Sequence, residues 1–210
     1  MRRLMQKVGI IDYGAGNIGS IQNMIHRLGS KSYIVQDEQS LLAADKLILP
    51  GVGNFDHGMQ MLMEKNLLEP LRTFMYSKQR PLLGICLGAQ LLTKKSEEGQ
   101  LTGFGFFDAE VLHFSKLENP ENIRIPHMGW NFIQYEHENQ LLSQLPEQPR
   151  FYFVHSYFLQ TKVTSEVLCT ANYKTPFAAG LKKDNVWAVQ FHPEKSHKYG
   201  MRLFENFLNL

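Results

Sequence analysis

Cys86 stands in the run Gly84-Ile85-Cys86-Leu87-Gly88, a thiol framed by glycines where an apolar stretch gives way to a helical pattern. That is the frame of a nucleophile elbow, with cysteine where many hydrolases place serine. The small neighbours matter because the turn is strained and the attacking atom needs room on both sides. At a helix start the dipole favours the thiolate, which is the reactive form. The amide of Leu87 would then point towards an oxyanion forming beside the sulfur. Cys169, the other of the two cysteines, lies mid-strand without such a frame and reads as a buried core thiol.

A cysteine nucleophile benefits from a base, and the base from a third group that holds it. Eight histidines compete for that post. His192 closes the apolar run Val186-Trp187-Ala188-Val189-Gln190-Phe191 and is followed by Pro193 and Glu194. Residues two apart in an extended chain face the same way, so His192 and Glu194 could both look towards the elbow. Pro193 would stiffen the backbone between them. On spacing alone, a strand ending in a turn with a solvated glutamate accounts for these residues equally well. His155, inside an apolar strand, reads as a structural or substrate-pocket residue. His26, His57, His113, His127, His137 and His197 have no partner at useful spacing. No metal site and no cofactor are expected, since the histidines lack ligand-like pairing with other His or Cys.

These residues need a scaffold that brings distant strand ends together. Val8–Ile11, Tyr33–Val35, Leu47–Leu49 and Pro81–Ile85 read as strands. A helix carrying Ile18, Ile21, Met24 or Ile25, and Leu28 follows the first, with Asn17 as its N-cap and Gly29 as its stop. Met59, Leu62 and Met63, then Leu67 and Leu71, make a helical pattern before Pro81, and Leu87, Leu91 and Leu92 another after Cys86. Alternation of this kind predicts a parallel sheet with helices on both faces. The second half looks extended over 104–114, 131–135, 151–159, 167–172 and 177–182, and Lys183-Asp184-Asn185 turns into the strand from Val186. Met201–Leu210 closes the chain as an amphipathic helix. The expected fold class is α/β: a single domain over 1–210 with a central mixed, mostly parallel sheet flanked by helices, whose later strands are partly antiparallel.

Composition sets outer bounds. Hydrophobic residues make up 43% and charged ones 20%, with a net charge of only +2 spread along the chain. That argues against a nucleic-acid or membrane-surface partner. Arg2 and Arg3 are followed at once by Gln6 and Lys7, and Asp12 cuts the next apolar run short, so no signal-peptide core is expected. The protein reads as cytoplasmic, where a thiol stays reduced and is free for chemistry.

Pro50-Gly51-Val52-Gly53, Gly84-Ile85-Cys86-Leu87-Gly88-Ala89-Gln90 and Gln190-Phe191-His192-Pro193-Glu194, in that order, resemble the class I (triad-type) glutamine amidotransferases. Ile11-Asp12-Tyr13-Gly14, Pro126-His127-Met128-Gly129-Trp130-Asn131, Tyr152-Phe153-Val154-His155-Ser156-Tyr157 and Lys195-Ser196 carry the likeness nearly end to end, towards the glutaminase subunits of imidazole glycerol phosphate synthases. The resemblance implies that Cys86 attacks the side-chain amide of glutamine, giving a γ-glutamyl thioester and ammonia, while His192 moves the protons and Glu194 orients it. It implies an oxyanion hole from the amides of Leu87 and Val52, and a glutamine site from Gly53, Gln90, Glu98, Ser156 and Tyr157. It also implies a partner, a (β/α)8-barrel cyclase that receives the ammonia, docked against the run His127–Asn131, chiefly Met128, Asn131 and, most prominent, Trp130. Thr93-Lys94-Lys95 and Ala89 depart from the usual family pattern. Asn17-Ile18-Gly19-Ser20 also resembles paralogues that feed sugar-modifying synthetases of surface-polysaccharide pathways.

A rival of another class comes from Gly14-Ala15-Gly16-Asn17-Ile18-Gly19. It is a GxGxxG between strand and helix, with Asp37 or Glu38 near the ~20-residue distance of a ribose-binding acid. That pattern would make the chain an NAD(P)-binding Rossmann oxidoreductase. Against it, Asp12 and Tyr13 lengthen the turn, and a nicotinamide enzyme leaves the elbow and His192-Pro193-Glu194 unexplained.

Overall fold

Strands buried on both faces need unbroken aliphatic runs, and four such runs build the centre of this molecule. The computed structural model describes residues 7–77, 80–117, 123–135 and 139–210. Arg2, Arg3, Gln6 and His137 lie outside the described residues. The first half runs β1 (Val8–Ile11), α1 (Ile18–Arg27), β2 (Ser32–Val35), α2 (Glu38–Leu42), β3 (Lys46–Leu49), α3 (Phe55–Glu64), α4 (Leu68–Ser77), β4 (Leu82–Ile85) and α5 (Leu87–Leu91). The second half is strand-rich: β5 (Lys95–Ser96), β6 (Ala109–His113), β7 (His127–Gln134), β8 (Arg150–His155), β9 (Tyr157–Thr161), β10 (Val167–Tyr173), β11 (Thr175–Lys183), β12 (Val186–Val189) and α6 (His197–Asn209).

The main path of the sheet is β2-β1-β3-β4-β12-β11-β10-β7-β8. From β2 to β12 every pairing is parallel. From β12 outward to β8 every pairing on the path is antiparallel. A side layer is made by β9, which pairs with β11 and β6, while β6 pairs in parallel with β5. The α/β reading with a mixed sheet is therefore correct, but the sheet is not mostly parallel: among the described strands five pairings are parallel, mainly in the first half and its return strand β12, and six are antiparallel.

Side chains alternate across the sheet as period two demands. Ile10, Ile48, Leu83, Ile85 and Val189 face one buried cluster with Ile21 and Ile25 of α1 and Leu203, Phe204 and Phe207 of α6. Ile11, Leu47, Leu49, Leu82 and Ala188 face the other, with Phe55, Met59 and Leu62 of α3 and Leu71 and Phe74 of α4. Asn17 caps α1 by accepting the Ser20 amide, and Gly29 takes a left-handed φ of +75° just past the helix, as its pattern predicts.

Several boundaries differ from the sequence reading. The helical pattern from Met59 to Leu71 is two helices, broken at Asn66, whose φ is +56°. Stretch 151–159 is two strands that part at a bend on Ser156. Within 104–114 only Ala109–His113 is strand, and α6 begins at His197 rather than Met201. No helix among the described residues is long and apolar enough to cross a membrane.

Candidate active site

The C-terminal ends of β3, β4 and β12 lie side by side, and each releases one part of the site. In an open parallel sheet this edge is where loops meet to hold ligands. Cys86 follows β4 directly, with φ +54° and ψ −110°. That is a conformation which costs a non-glycine residue free energy and which persists only when the surroundings enforce it. Enforcement comes from the neighbouring strand, since the Cys86 amide donates to the Val189 carbonyl at 2.8 Å. It comes also from the flanking glycine, because a Cβ on Gly88 would overlap the Leu49 carbonyl oxygen at the end of β3. Cys86 then caps the first turn of α5.

Beyond β12 the chain runs Gln190, Phe191, His192. Gln190 is buried and its side-chain amide points to the Cys86 sulfur at 3.7 Å. The His192 amide is tied to the Tyr152 carbonyl at 2.9 Å. Ser196 Oγ donates to the His192 carbonyl at 2.6 Å and accepts the Tyr152 amide at 3.0 Å, so the turn after His192 is fastened twice. His192 Nδ1 and Glu194 Oε1 are 2.8 Å apart, with 1% and 2% of their side chains exposed. A buried carboxylate on Nδ1 fixes that nitrogen as the donor. It leaves Nε2 as the free one, and Nε2 is buried without a conventional hydrogen-bond partner. Burial works against charging this ring, but the Cys86 sulfur and the Glu194 carboxylate outweigh it and raise the imidazole pKa.

Cys86, Leu87 and His192 line one cavity of about 510 Å³ together with Val52, Gly53, Asn54, Gln90, Glu98, Pro126, Val154, His155, Ser156 and Tyr157. Every residue assigned by the sequence to nucleophile, base, oxyanion or glutamine binding is therefore on this wall, except Glu194, which stands behind His192. Val52 is 45% exposed, at the open side of the Pro50–Gly53 loop. Gln90 is held inside, donating to Gln190 Oε1 at 3.0 Å. Glu98 accepts the amide of Phe55 at the start of α3 at 2.8 Å. Partial burial raises the Glu98 pKa, against that amide and with help from Asp56.

The residues expected to dock a partner lie elsewhere, and His127 of the run His127–Asn131 is buried. Met128 and Trp130 are exposed on β7, together with Phe132 two residues on. Asn131 faces the opposite side of the strand, where its amide nitrogen contacts His127 Nε2 at 3.2 Å and the Asn172 carbonyl at 2.9 Å. Thr93-Lys94-Lys95 does not line the cavity: Thr93 Oγ1 bonds to the Gln90 carbonyl, Lys94 pairs with Asp108 and Lys95 with Glu110.

Gln190, Ser196 and Tyr13 were not singled out by sequence reasoning as parts of the site, and His127 was placed only at the partner face; His155, read as a structural or substrate-pocket residue, does line the cavity. All five sit within the quoted motifs, which was the one available signal.

The model of the glutamine amidotransferase class-I family matches residues 9–210. The chain belongs to that family. Among its relatives in this family, imidazole glycerol phosphate synthase subunit HisH 2 of Methanococcus maripaludis is 49% identical over 96% of this chain and 98% of that one. The subunit HisH 2 of Pseudomonas aeruginosa is 45% identical over the same shares. The crystal structure of a glutamine amidotransferase from Thermotoga maritima shares the fold with a TM-score of 0.67, at 17% identity, over 99% of this chain and 84% of that one.

In this amidotransferase the residues of the dinucleotide-binding pattern are otherwise employed. A Cβ on Gly16 would lie 3.0 Å from the Pro50 side chain and 3.3 Å from the Gly51 amide, so the glycine loop is packed against the Pro50–Gly53 loop rather than opened to a phosphate. Asp37 caps α2 in a reciprocal box with Ser40, and Glu38 opens the same helix.

Proposed function

We propose that this chain is the glutamine-hydrolysing subunit of an imidazole glycerol phosphate synthase. It releases ammonia for a (β/α)8-barrel cyclase subunit that makes imidazole glycerol phosphate and an aminoimidazole carboxamide ribotide. The observation that carries the reading is the strained Cys86 elbow beside the buried His192–Glu194 pair in one cavity. The near-full-length likeness to subunits of that name supports the pathway.

The chemistry follows from the donors and acceptors present. With the proton held on His192 Nε2, the Cys86 sulfur bonds to the glutamine side-chain carbonyl carbon. The negative oxygen so formed is held by backbone amides of Leu87 and Val52. His192 returns the proton to the departing nitrogen, the C–N bond breaks, and ammonia and a γ-glutamyl thioester remain. Water, deprotonated by the same ring, then cleaves the thioester to glutamate and restores the thiol. Glu194 stabilises the imidazolium in both halves. Glu98, Gln90, Gly53, Ser156 and Tyr157 hold the amino-acid head group, and Met128 and Trp130 seat the partner.

Glutamate release should be measured with and without a histidine-pathway cyclase bearing its nucleotide ligand. Strong stimulation by the liganded cyclase is the expected result. Release that the cyclase leaves unchanged would instead favour a sugar-modifying synthetase as partner, in keeping with Asn17-Ile18-Gly19-Ser20. A cytoplasmic site of action suits a reduced catalytic thiol.

A further inference from the structure

His127 and His155 stand directly opposite one another on the antiparallel strands β7 and β8. Both are buried, and His127 is sandwiched between the rings of Phe153 at 4.8 Å and Tyr173 at 4.1 Å. Phe114 and Phe177 close the box around His155. Such a box holds a polar ring only if its nitrogens are satisfied.

The partners dictate where every proton sits. His155 Nδ1 is 2.6 Å from the Tyr157 carbonyl oxygen, which can only accept, so Nδ1 carries the hydrogen. His155 Nε2 is 3.0 Å from His127 Nδ1. With His155 neutral its Nε2 is bare, and His127 Nδ1 must donate. His127 Nε2 is then an acceptor, and 3.2 Å away stands the amide nitrogen of Asn131. That amide is itself fixed, because its nitrogen also donates to the Asn172 carbonyl at 2.9 Å and its oxygen accepts the Phe132 amide at 2.8 Å. Donation therefore runs one way: Asn131 to His127 to His155 to the Tyr157 carbonyl. An added proton on either ring would set two N–H groups against each other. Burial likewise holds His127 down to about 4. Burial, His127 and His192 hold His155 down to about 3, against the pull of the Tyr157 carbonyl.

The ends of this chain of donors lie at different places. Asn131 and His127 are on β7, whose alternate residues Met128, Trp130 and Phe132 face outward. His155 and Tyr157 line the cavity, and the same Tyr157 carbonyl is 3.4 Å from the side-chain nitrogen of Gln90. We propose that His127 and His155 are positioning residues. As a locked pair of neutral Nδ1–H imidazoles they set the Ser156–Tyr157 wall of the glutamine pocket from the strand that carries Met128 and Trp130. The inference rests on the glutaminase reading for its kinetic consequence, whereas the tautomers follow from geometry alone.

Two measurements test it. In the parent complex with ring-15N-labelled histidine, NMR should show both rings neutral and in the Nδ1–H form, unchanged between about pH 6 and 9. An Nε2–H pattern, or titration of either ring in that range, overturns the proposal. In glutamate release by the partner complex, His155→Phe should raise KM about tenfold, the factor of one ordinary hydrogen bond, with kcat within about twofold. His155→Asn keeps an N–H at the same point and should recover most of the loss. Unchanged KM in His155→Phe, or no recovery in a folded His155→Asn, overturns the positioning role. If His155→Phe does not fold, His155→Asn and the spectra still decide. A parent complex that releases no glutamate refutes the glutaminase reading instead, and the spectra then judge the pair by themselves.

Discussion

The hydroxyl of Tyr13 donates to the carbonyl oxygen of Pro50 at 2.8 Å, tying the end of β1 to the root of the Pro50–Gly53 loop. Tyr13 is fully buried, and burial together with the nearby Cys86 pushes its phenol well above the ordinary tyrosine range, so it remains a donor. A Cβ on Gly51 would collide with this hydroxyl and lie 2.8 Å from the Gly88 amide, which leaves the loop no slack against the elbow. Tyr13→Phe keeps the ring and leaves the Pro50 carbonyl buried without its donor, a loss of about 1–3 kcal/mol. If the loop supplies an oxyanion donor, kcat for glutamate release should fall roughly tenfold or more, with KM changed by less than about twofold. A variant with parental kcat would remove Tyr13 from the loop's support.

Cys86 and Cys169 are both buried, yet only one lies in the cavity. Burial pushes the Cys169 thiol far above the ordinary cysteine range, so it stays protonated and inert. Cys86→Ala should abolish glutamate release, by at least about a thousandfold. Cys169→Ala should leave kcat within about twofold and cost only the stability of a small cavity. Mass spectrometry after a brief iodoacetamide pulse should find alkylation on Cys86 and not Cys169. The reverse pattern would unseat the nucleophile assignment.

What could be read from the sequence, and what could not, follows from how local each signal is. β1, β3, β4 and β12 are buried at every position, so their aliphatic runs announce them without any partner. Helix α2 escaped because its five residues bury one side chain, Leu41, too little for a helical stripe. Cys86 was legible because its glycine frame is contiguous, as were His192 and Glu194 because they sit two residues apart. Tyr13 acts on a carbonyl 37 residues away and His127 on a ring 28 residues away. Their roles exist only once β1 meets the end of β3 and β7 meets β8. No spacing along one chain encodes such pairings.

Met128, Trp130 and Phe132 present an apolar row on one face of β7, with 62%, 43% and 51% of their surfaces exposed. Arg150 lies over the Trp130 ring at 5.7 Å and His197 stacks on it at 5.7 Å, so the indole is pre-oriented rather than free. Rigid aromatic anchors of this kind carry a large share of interface energy. Trp130→Ala should weaken association with the cyclase subunit by about thirtyfold or more, equivalent to ~2 kcal/mol. Its glutamate release at saturating cyclase should approach that of the parent. Calorimetric titration that returns an unchanged Kd would place the docking surface elsewhere.

The His192–Glu194 pair gives stability a distinctive pH dependence. Burial opposes the charge on His192, but Cys86 and Glu194 raise its folded-state pKa to about 10. The unfolded value is about 6.5. Between the two, the folded protein holds a proton that the unfolded chain has released, so stability falls as pH rises. The contribution is complete below about pH 6.5 and is lost as pH climbs through the folded value. Glu194→Gln keeps an acceptor oxygen near Nδ1 but removes the charge, which lowers the folded pKa and narrows that window. Thermal unfolding should therefore show the parent losing more Tm than Glu194→Gln between about pH 7 and 9.5, as the proton linkage requires. The variant should also lose kcat by a hundredfold or more, roughly the loss expected when the group that stabilises the imidazolium is neutral. Parallel Tm curves for the two proteins would mean that the carboxylate does not hold His192 in its charged form.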